Sequence, residues 1–312
     1  MSLTPRLPLS RSRINRDAVS RKIPGFLDEV WADKDTRVVC IWRGEALLAP
    51  GDEVRLDTRP PGSVPEARER IYLGITTVDS GDMPEGTRIV AAVLNDDEAK
   101  ALEPDVARWT SARTFAHTLN DLDAGVVVEA LAMANWHAAH SFSPHTGAQA
   151  LPGQAGWVRV DQSTGSDMFP RTDAAVIALV TDSQDRIVLG SNALWESQRY
   201  SLLAGFVEPG ESLEAAVIRE VWEESGLRVR DPEYMGSQPW PFPASLMVGF
   251  QATLDEAYEM DLRPDGTEII DLRWFSRDDL KESLGTILLP GRTSIARAMI
   301  EDWYGQTLPD GL

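Results

Sequence analysis

The chain has 312 residues but only one cysteine, Cys40, and it has no apolar run long enough to cross a membrane. One cysteine cannot form an intramolecular disulfide, and its position in the apolar run from Val38 to Trp42 predicts a buried thiol. The first residues, MSLTPRLPLSRSRINRD, contain arginine and serine but no apolar stretch of signal-peptide length. We therefore expect a protein of a reducing compartment, with the cytoplasm as the default location and no association with membranes.

Positive charge is also scarce, because 30 basic residues face 49 acidic residues and the formal net charge is −19. This excess of negative charge opposes attraction to the phosphate backbone of long nucleic acids. A small nucleotide, or the nucleotide end of an RNA, stays open as a ligand if cations or local arginine and lysine residues neutralise its phosphates.

The residue pattern divides the chain into four segments. Short apolar runs separated by glycine, proline and aspartate predict the strands of the first segment, at residues 37–42, 45–48, 70–76 and 87–94. The segments are an α+β N-terminal domain over residues 1–111, a helical connector over 112–140, a small loop-rich module over 141–170 and a domain over 171–312. The last segment alternates strands with helices near residues 213–225 and 294–304, and we place the catalytic domain there.

Residues 205–227, GFVEPGESLEAAVIREVWEESGL, predict a loop followed by an acidic helix. Ser212 suits the N-cap of the helix and Gly226 suits its C-cap. Glu220, Glu223 and Glu224 crowd the final turns, where like charges repel one another and the helix dipole is negative. These glutamates therefore need positive charge nearby.

Helical spacing places two of these glutamates on the inner face of the helix. With about 100° per residue, Glu220 and Glu224 project within about 20° of Leu213, on the side of Val217. A solvated acidic face is the common explanation of such a helix, but solvated glutamates should lie opposite the apolar stripe. Clustered carboxylates instead favour Mg²⁺ or Mn²⁺, which also bind substrate phosphates.

The same segment resembles the Nudix box, Gx5Ex7REUxEExGU, at every fixed position. The matching residues are Gly205, Glu211, Arg219, Glu220, Val221, Glu223, Glu224, Gly226 and Leu227. The resemblance implies an α/β/α sandwich around a mixed sheet, in which bound divalent metals help water to attack a nucleoside diphosphate. It also implies that Glu220, Glu223 and Glu224 are metal ligands or, for one of them, the base, and that the carbonyl of Ala204 adds a ligand.

Arg219 and Glu211, two further residues of the box, are expected to support the catalytic site. Arg219 is well placed to pair with Glu211 and fix the loop before the helix, although a surface ion pair would give the same sequence. Downstream, TEIIDLRWF resembles the segment that supplies another metal carboxylate in this family, which implies that role for Glu268. Solvation alone also explains a glutamate at the start of a strand.

A second motif, SQPWPFPAS at residues 237–245, resembles the signature of NADH pyrophosphatases within the Nudix superfamily. Its three prolines stiffen the loop and direct Trp240 and Phe242, which can wall a slot for a base. Packing at a domain or subunit interface is the alternative for Trp240. The candidate substrate-binding residues, several of them implied by the resemblance alone, are Phe169, Phe206, Gln238, Pro239, Trp240, Pro241, Phe242, Pro243, Ala244, Ser245, Met247 and Ala296.

The loop-rich module departs from the family pattern. The family usually has four cysteines there, in two CxxC pairs that bind structural zinc, and alignment places Ser143, Thr146, Asp161 and Thr164 at those positions. Asp161 with His145 or His140 would be a substitute, but neutral hydroxyls are poor zinc ligands. We expect no structural zinc, and a module held by packing around Trp157 and by hydrogen bonds.

The resemblance implies metal-dependent hydrolysis of the diphosphate of NAD(H) to AMP and NMN(H), and related enzymes remove NAD caps from RNA 5′ ends. Two alternatives stay open: a Nudix hydrolase of ADP-ribose or another nucleotide, and a Nudix-fold sensor that binds a nucleotide without cleaving it. An eroded box is the usual mark of such a sensor, and this box is whole. A homodimer is implied only by the resemblance.

Overall fold

The structure, a computed structural model, describes residues 2–67, 69–81, 83–258 and 261–309. The chain forms two units, each with its own core. One unit comprises Arg11–Thr172 and Trp240–Ala244, and we call it the N-terminal unit. The other comprises Met1–Ser10, Asp173–Pro239 and Ser245–Leu312, and we call it the catalytic unit.

The N-terminal unit is built on a mixed sheet and confirms the predicted α+β class. Its strands are β1 (Ile14–Asn15), β2 (Arg37–Trp42), β3 (Glu45–Leu47), β4 (Thr58–Arg59), β5 (Glu69–Thr76), β6 (Arg88–Val93), β7 (Trp109–Thr110), β8 (Ala150–Gly153), β9 (Val158–Asp161) and β10 (Asp167–Met168). Its helices are α1 (Phe26–Ala32), α2 (Asp96–Leu102), α3 (Ala112–Phe115) and α4 (Asp121–Ala139).

The main sheet of this unit runs in the order β1-β5-β6-β2-β3-β7, with β4 paired to β2. Strands β2 and β6 are parallel, whereas the other pairs are antiparallel. A separate three-stranded sheet, β10-β9-β8, forms the small module. The four predicted strands of the first segment correspond to β2, β3, β5 and β6.

Helix α4 is a packing element of the N-terminal sheet rather than a spacer. Asn120 caps it by accepting a hydrogen bond from the amide of Asp123. Apolar residues occur on all sides of the helix and most of its residues are buried, which is typical of a helix enclosed within a core. The helix packs on β1, β2 and β5.

The catalytic unit has a six-stranded mixed sheet in the order β14-β15-β11-β12-β16, with β13 paired to β11. The strands are β11 (Asp173–Thr181), β12 (Ile187–Asn192), β13 (Leu203–Phe206), β14 (Val229–Trp240), β15 (Ser245–Leu254) and β16 (Ile269–Phe275). The helices are α5 (Leu213–Ser225), α6 (Arg277–Ser283) and α7 (Ile295–Tyr304).

Alternation along β11 gives this unit its two cores. Ile177 and Leu179 belong to the core that contains Met299 of α7. Val176 and Ala178 belong to the core that contains Val217 of α5. Successive strand residues point to opposite faces, so the two helices cover opposite sides of the sheet. This arrangement confirms the predicted α/β/α sandwich.

Residues 2–10, which we call the N-terminal arm, pack with the catalytic unit, which differs from the assignment of residues 1–111 to one domain. Leu3 and Leu7 are buried in the core that contains α7. The amide of Leu3 donates to the carbonyl of Met235 at 2.6 Å, and Arg6 pairs with Asp302 at 2.9 Å. Burial of these leucines holds the arm on the catalytic unit, although most of that unit lies more than 160 residues away in sequence.

Cys40 is buried in the N-terminal core, as predicted, and burial raises the pKa of its thiol to about 12. Such a thiol is unreactive at neutral pH. Within the described ranges, no helix combines the length and the apolar character that crossing a bilayer requires.

We predict that Leu179→Ala lowers the free energy of unfolding by about 2–5 kcal/mol, because it leaves a cavity in a close-packed core. The matched control is Leu194→Ala, since Leu194 is 94% exposed and should change stability by less than about 0.5 kcal/mol. Urea unfolding of both variants measures the difference. Equal effects would contradict the assigned core.

Candidate active site

Local sequence signals set the position of α5. Ser212 accepts a hydrogen bond from the amide of Ala215, and Gly226 ends the helix at φ 73°. Val217 and Val221 are fully buried against the sheet. The predicted caps and the predicted inner face of this helix are therefore confirmed.

Gly205 on β13 allows the carboxylate of Glu220 to lie directly against the strand. A Cβ atom at position 205 would lie 2.1 Å from the carboxyl carbon of Glu220, well inside van der Waals contact. Only glycine accommodates this approach. Burial is the largest cause that raises the pKa of Glu220, and the charges of Glu223 and Glu268 raise it further.

Glu224 lies one turn further along α5 and is the most enclosed carboxylate of the site, with 5% of its surface exposed. One of its oxygens accepts a hydrogen bond from the amide of Ala204 at 3.2 Å. Burial, followed by repulsion from Glu220 and Glu268, raises the pKa of Glu224 to about 8. The structure thus concentrates negative charge beside β13.

Glu268 lies just before β16 and is exposed. Its side chain accepts a long hydrogen bond, 3.4 Å, from Nδ2 of Asn192, and its carbonyl accepts one from the amide of Ala193 at 2.8 Å. No local sequence pattern reveals Asn192 as a partner of Glu268, because the two residues lie 76 positions apart.

Arg219 holds the loop before α5, as predicted. Its Nε and one terminal nitrogen donate to the two oxygens of Glu211, both at 2.8 Å, and the same terminal nitrogen donates to the carbonyl of Phe206 at 2.9 Å. Its other terminal nitrogen donates to Glu220 at 2.8 Å and to Glu223 at 2.9 Å. These contacts lower the pKa of Glu211 and raise that of Arg219.

The donor set suits a hard divalent cation, because Glu220, Glu224 and Glu268 offer only carboxylate oxygens and repel one another. Among the residues that the structure describes, no three acidic, histidine or cysteine side chains are already arranged around a common point as metal ligands. Glu220 and Glu223 are turned onto Arg219, so they would have to reorient to share a cation. Their roles as ligands stay predictions.

Phe206 presents an exposed aromatic surface at the end of β13. It ends β13, one residue after Gly205, and its side chain is 59% exposed. Arg219 fixes its backbone through the carbonyl. The exposed ring can stack on a planar group of a ligand.

Gln238 needs a correction, because its side chain is fully buried. Its oxygen accepts a hydrogen bond from the amide of Leu9 at 3.3 Å, and its nitrogen donates to the carbonyl of Thr293 at 3.0 Å. The predicted polar contact with substrate is therefore replaced by a structural role. Gln238 joins β14 to the N-terminal arm and to the start of α7.

The aromatic part of the proline-rich loop belongs to the N-terminal unit and is packed there. The rings of Trp240 and Phe242 meet edge to face at 5.0 Å, and the guanidinium of Arg113 lies 4.6 Å from the Phe242 ring. Asn135 of α4 donates to the carbonyl of Pro241 at 2.8 Å. These contacts favour the packed-loop alternative for Trp240.

Ala296 also needs a correction, because its side chain is 2% exposed and lies in the core beneath α7. It cannot stack on a ligand. Phe169 is 70% exposed in the N-terminal unit. Of the other candidates Pro241 is buried, Pro243 is exposed, and partial burial is shared by Pro239, Ala244, Ser245 and Met247.

Two family models match the chain, one in each unit. Residues 171–297 match the NUDIX domain, and residues 35–136 match the NADH pyrophosphatase-like rudimentary NUDIX domain. A NUDIX hydrolase structure from Nitrosomonas europaea covers 54% of this chain and 94% of that chain, at 20% identity and a TM-score of 0.42.

Two curated relatives carry the name NAD-capped RNA hydrolase. NudC from Mycobacterium tuberculosis is 41% identical over 311 residues, covering 91% of this chain and 95% of the relative. NUDT12 from Macaca fascicularis is 34% identical over 199 residues, covering 59% of this chain and 42% of the relative. With a matching catalytic unit, a matching N-terminal domain and a relative similar over nearly its whole length, the chain belongs to the NudC family of Nudix hydrolases.

Proposed function

We propose that this protein hydrolyses the diphosphate linkage of NAD(H) to AMP and NMN(H). The same cleavage of NAD-capped RNA would release NMN and leave a 5′-monophosphate on the RNA. The observation that carries the proposal is the carboxylate cluster of α5, in which Glu220 lies against Gly205 of β13. The similarity to NAD-capped RNA hydrolases supports the choice of substrate.

We further propose that Mg²⁺ or Mn²⁺ binds at this cluster. Glu220, Glu223, Glu224 and Glu268, with the carbonyl of Ala204, would hold it. When bound, the cation would neutralise phosphate charge and lower the pKa of the attacking water. Arg219 keeps the loop and the first turns of α5 in place, because it bonds Glu211 with two parallel hydrogen bonds.

Other side chains would accept a proton and bind the substrate. One carboxylate of α5 accepts the proton of the attacking water, and Phe206 provides a stacking surface for a ring of the dinucleotide. The net charge of −19 favours recognition of the cap rather than of the RNA body. A homodimer and a cytoplasmic location also belong to this proposal, and they rest on the resemblance and on the sequence.

The test incubates NADH, NAD, NAD-capped RNA and ADP-ribose with the protein and Mg²⁺ or Mn²⁺, and separates the products by chromatography. We expect AMP and NMNH from NADH. The variant Glu224→Gln should lower kcat by about 100-fold or more, because it removes a carboxylate that would bind the cation or accept the proton, without a change in size. Glu214→Gln is the matched control, since Glu214 is exposed on the first turn of α5.

Each alternative function has its own signature in this assay. Cleavage of ADP-ribose without release of AMP from NADH would identify a different Nudix hydrolase. Binding without turnover of any compound would identify a nucleotide sensor. Wild-type rates for Glu224→Gln would contradict the proposed role of this carboxylate.

The contact between Gly205 and Glu220 gives a second prediction. Gly205→Ala should displace the Glu220 carboxylate and weaken Mn²⁺ binding by about 10- to 100-fold. Gly291→Ala is the matched control, because a Cβ atom there meets nothing within 4 Å. Calorimetric titration with Mn²⁺ measures both affinities, and equal affinities would count against Glu220 as a ligand.

A further inference from the structure

The loop-rich module contains two turns with the same hydrogen-bond pattern, at residues 143–148 and 161–166. In the first, the amide of Gly147 donates to the carbonyl of Ser143 at 2.9 Å, and the amide of Ser143 donates to the carbonyl of Ala148 at 2.8 Å. In the second, the corresponding bonds join Gly165 to Asp161 at 2.8 Å and Asp161 to Ser166 at 3.0 Å.

The side chains of the two turns repeat as well. The first residue of each turn, Ser143 or Asp161, accepts a hydrogen bond from the amide two positions later. The fourth residue, Thr146 or Thr164, accepts one through Oγ1 from the amide two positions later. The glycine in fifth place has φ 74° in one turn and 73° in the other, a conformation that glycine adopts without strain.

Asp161 joins the two turns through its carboxylate. One oxygen accepts bonds within its own turn, from the amide and hydroxyl of Ser163 at 2.8 and 2.6 Å and from the amide of Thr164 at 3.2 Å. The other accepts a bond across the gap, from the hydroxyl of Thr146 at 2.6 Å. Ser143 also bonds this carboxylate, and the donors hold the pKa of Asp161 well below its usual range.

The positions that a zinc ribbon would fill with cysteine are therefore occupied by a closed set of hydrogen bonds. Ser143, Thr146, Asp161 and Thr164 line one cavity of about 670 Å³. Their donor set is three neutral hydroxyls and one carboxylate already saturated with donors, which does not fit the thiolate and imidazole preference of structural zinc. His140, the residue after α4, bonds the carbonyl of Trp136 through Nδ1 at 2.9 Å.

We propose that the carboxylate of Asp161 replaces a metal ion as the cross-link between the two turns. The module then folds without zinc and depends on a single charged acceptor. This inference is independent of the proposed catalytic function, because none of its residues belongs to the carboxylate cluster of α5.

Hydrogen exchange of the full-length protein, read by mass spectrometry in peptides that cover residues 143–148 and 161–166, tests the proposal. Exchange in both turns of the wild type should be unchanged by a chelator and by added zinc. Faster exchange in these turns with the chelator, or slower exchange there with zinc, would overturn the proposal.

Variants then locate the cross-link. Asp161→Asn should speed exchange in both turns by about tenfold or more, because hydrogen bonds to a charged acceptor are lost. Asp167→Asn is the matched control, since Asp167 is exposed and bonds Gln154 at 2.9 Å. Unchanged protection of residues 143–148 in Asp161→Asn would reject the cross-link.

Thr146→Val keeps the proposal testable if Asp161→Asn does not fold. It removes the hydroxyl that donates across the gap and that also accepts from the amide of Ala148. Exchange should therefore rise at residues 143–148 and stay near wild type at 161–166. Wild-type exchange in both turns would show that the crossing bond does not stabilise the module.

Discussion

Repulsion between carboxylates at the end of α5 is the constraint on which the catalytic unit depends. Glu220 is pressed against Gly205, and Glu224 is buried with the amide of Ala204 as a partner. Arg219 donates to Glu220 and to Glu223 but is itself anchored on Glu211. The cluster therefore has less positive charge than its carboxylates need, and a cation that arrives with a diphosphate would supply it.

Packing holds this cluster in place. Alternate residues of β11 form separate cores with α5 and α7, and the buried valines of α5 keep its acidic end against the sheet.

The carboxylate of Asp161, in the small module, is stabilised by hydrogen bonds instead of by a cation. It accepts hydrogen bonds from two turns and so needs no cation, whereas Glu224 has the amide of Ala204 and acidic neighbours. Asp161 has several hydrogen-bond donors and acts as a structural cross-link, whereas Glu224 has few donors and is a candidate metal ligand.

Local patterns predicted most of the fold and the framework of the site. The helical spacing of apolar residues and the capping residues predicted the limits of α5. The spacing of the box predicted the ion pair of Arg219 with Glu211. Short helices escaped prediction, although α2 has a readable capping box formed by Asn95 and Glu98.

Contacts between distant parts of the chain could not be predicted. Gln238 is buried because its amide pairs with Leu9 and Thr293, which lie 229 and 55 positions away. Ala296 is buried because α7 turns that face towards the core of the catalytic unit. The family resemblance indicated both residues, but the direction of each side chain depends on tertiary packing.

The most direct measurement is the fate of the oxygen atom of water when the protein acts on NADH. Reaction in water enriched in heavy oxygen, followed by mass spectrometry of the products, locates the bond that breaks. Hydrolysis of the diphosphate predicts AMP and NMNH, with the heavy oxygen in the phosphate of one of them. Release of nicotinamide with ADP-ribose, or cleavage without incorporation of label, would contradict attack by water on the diphosphate.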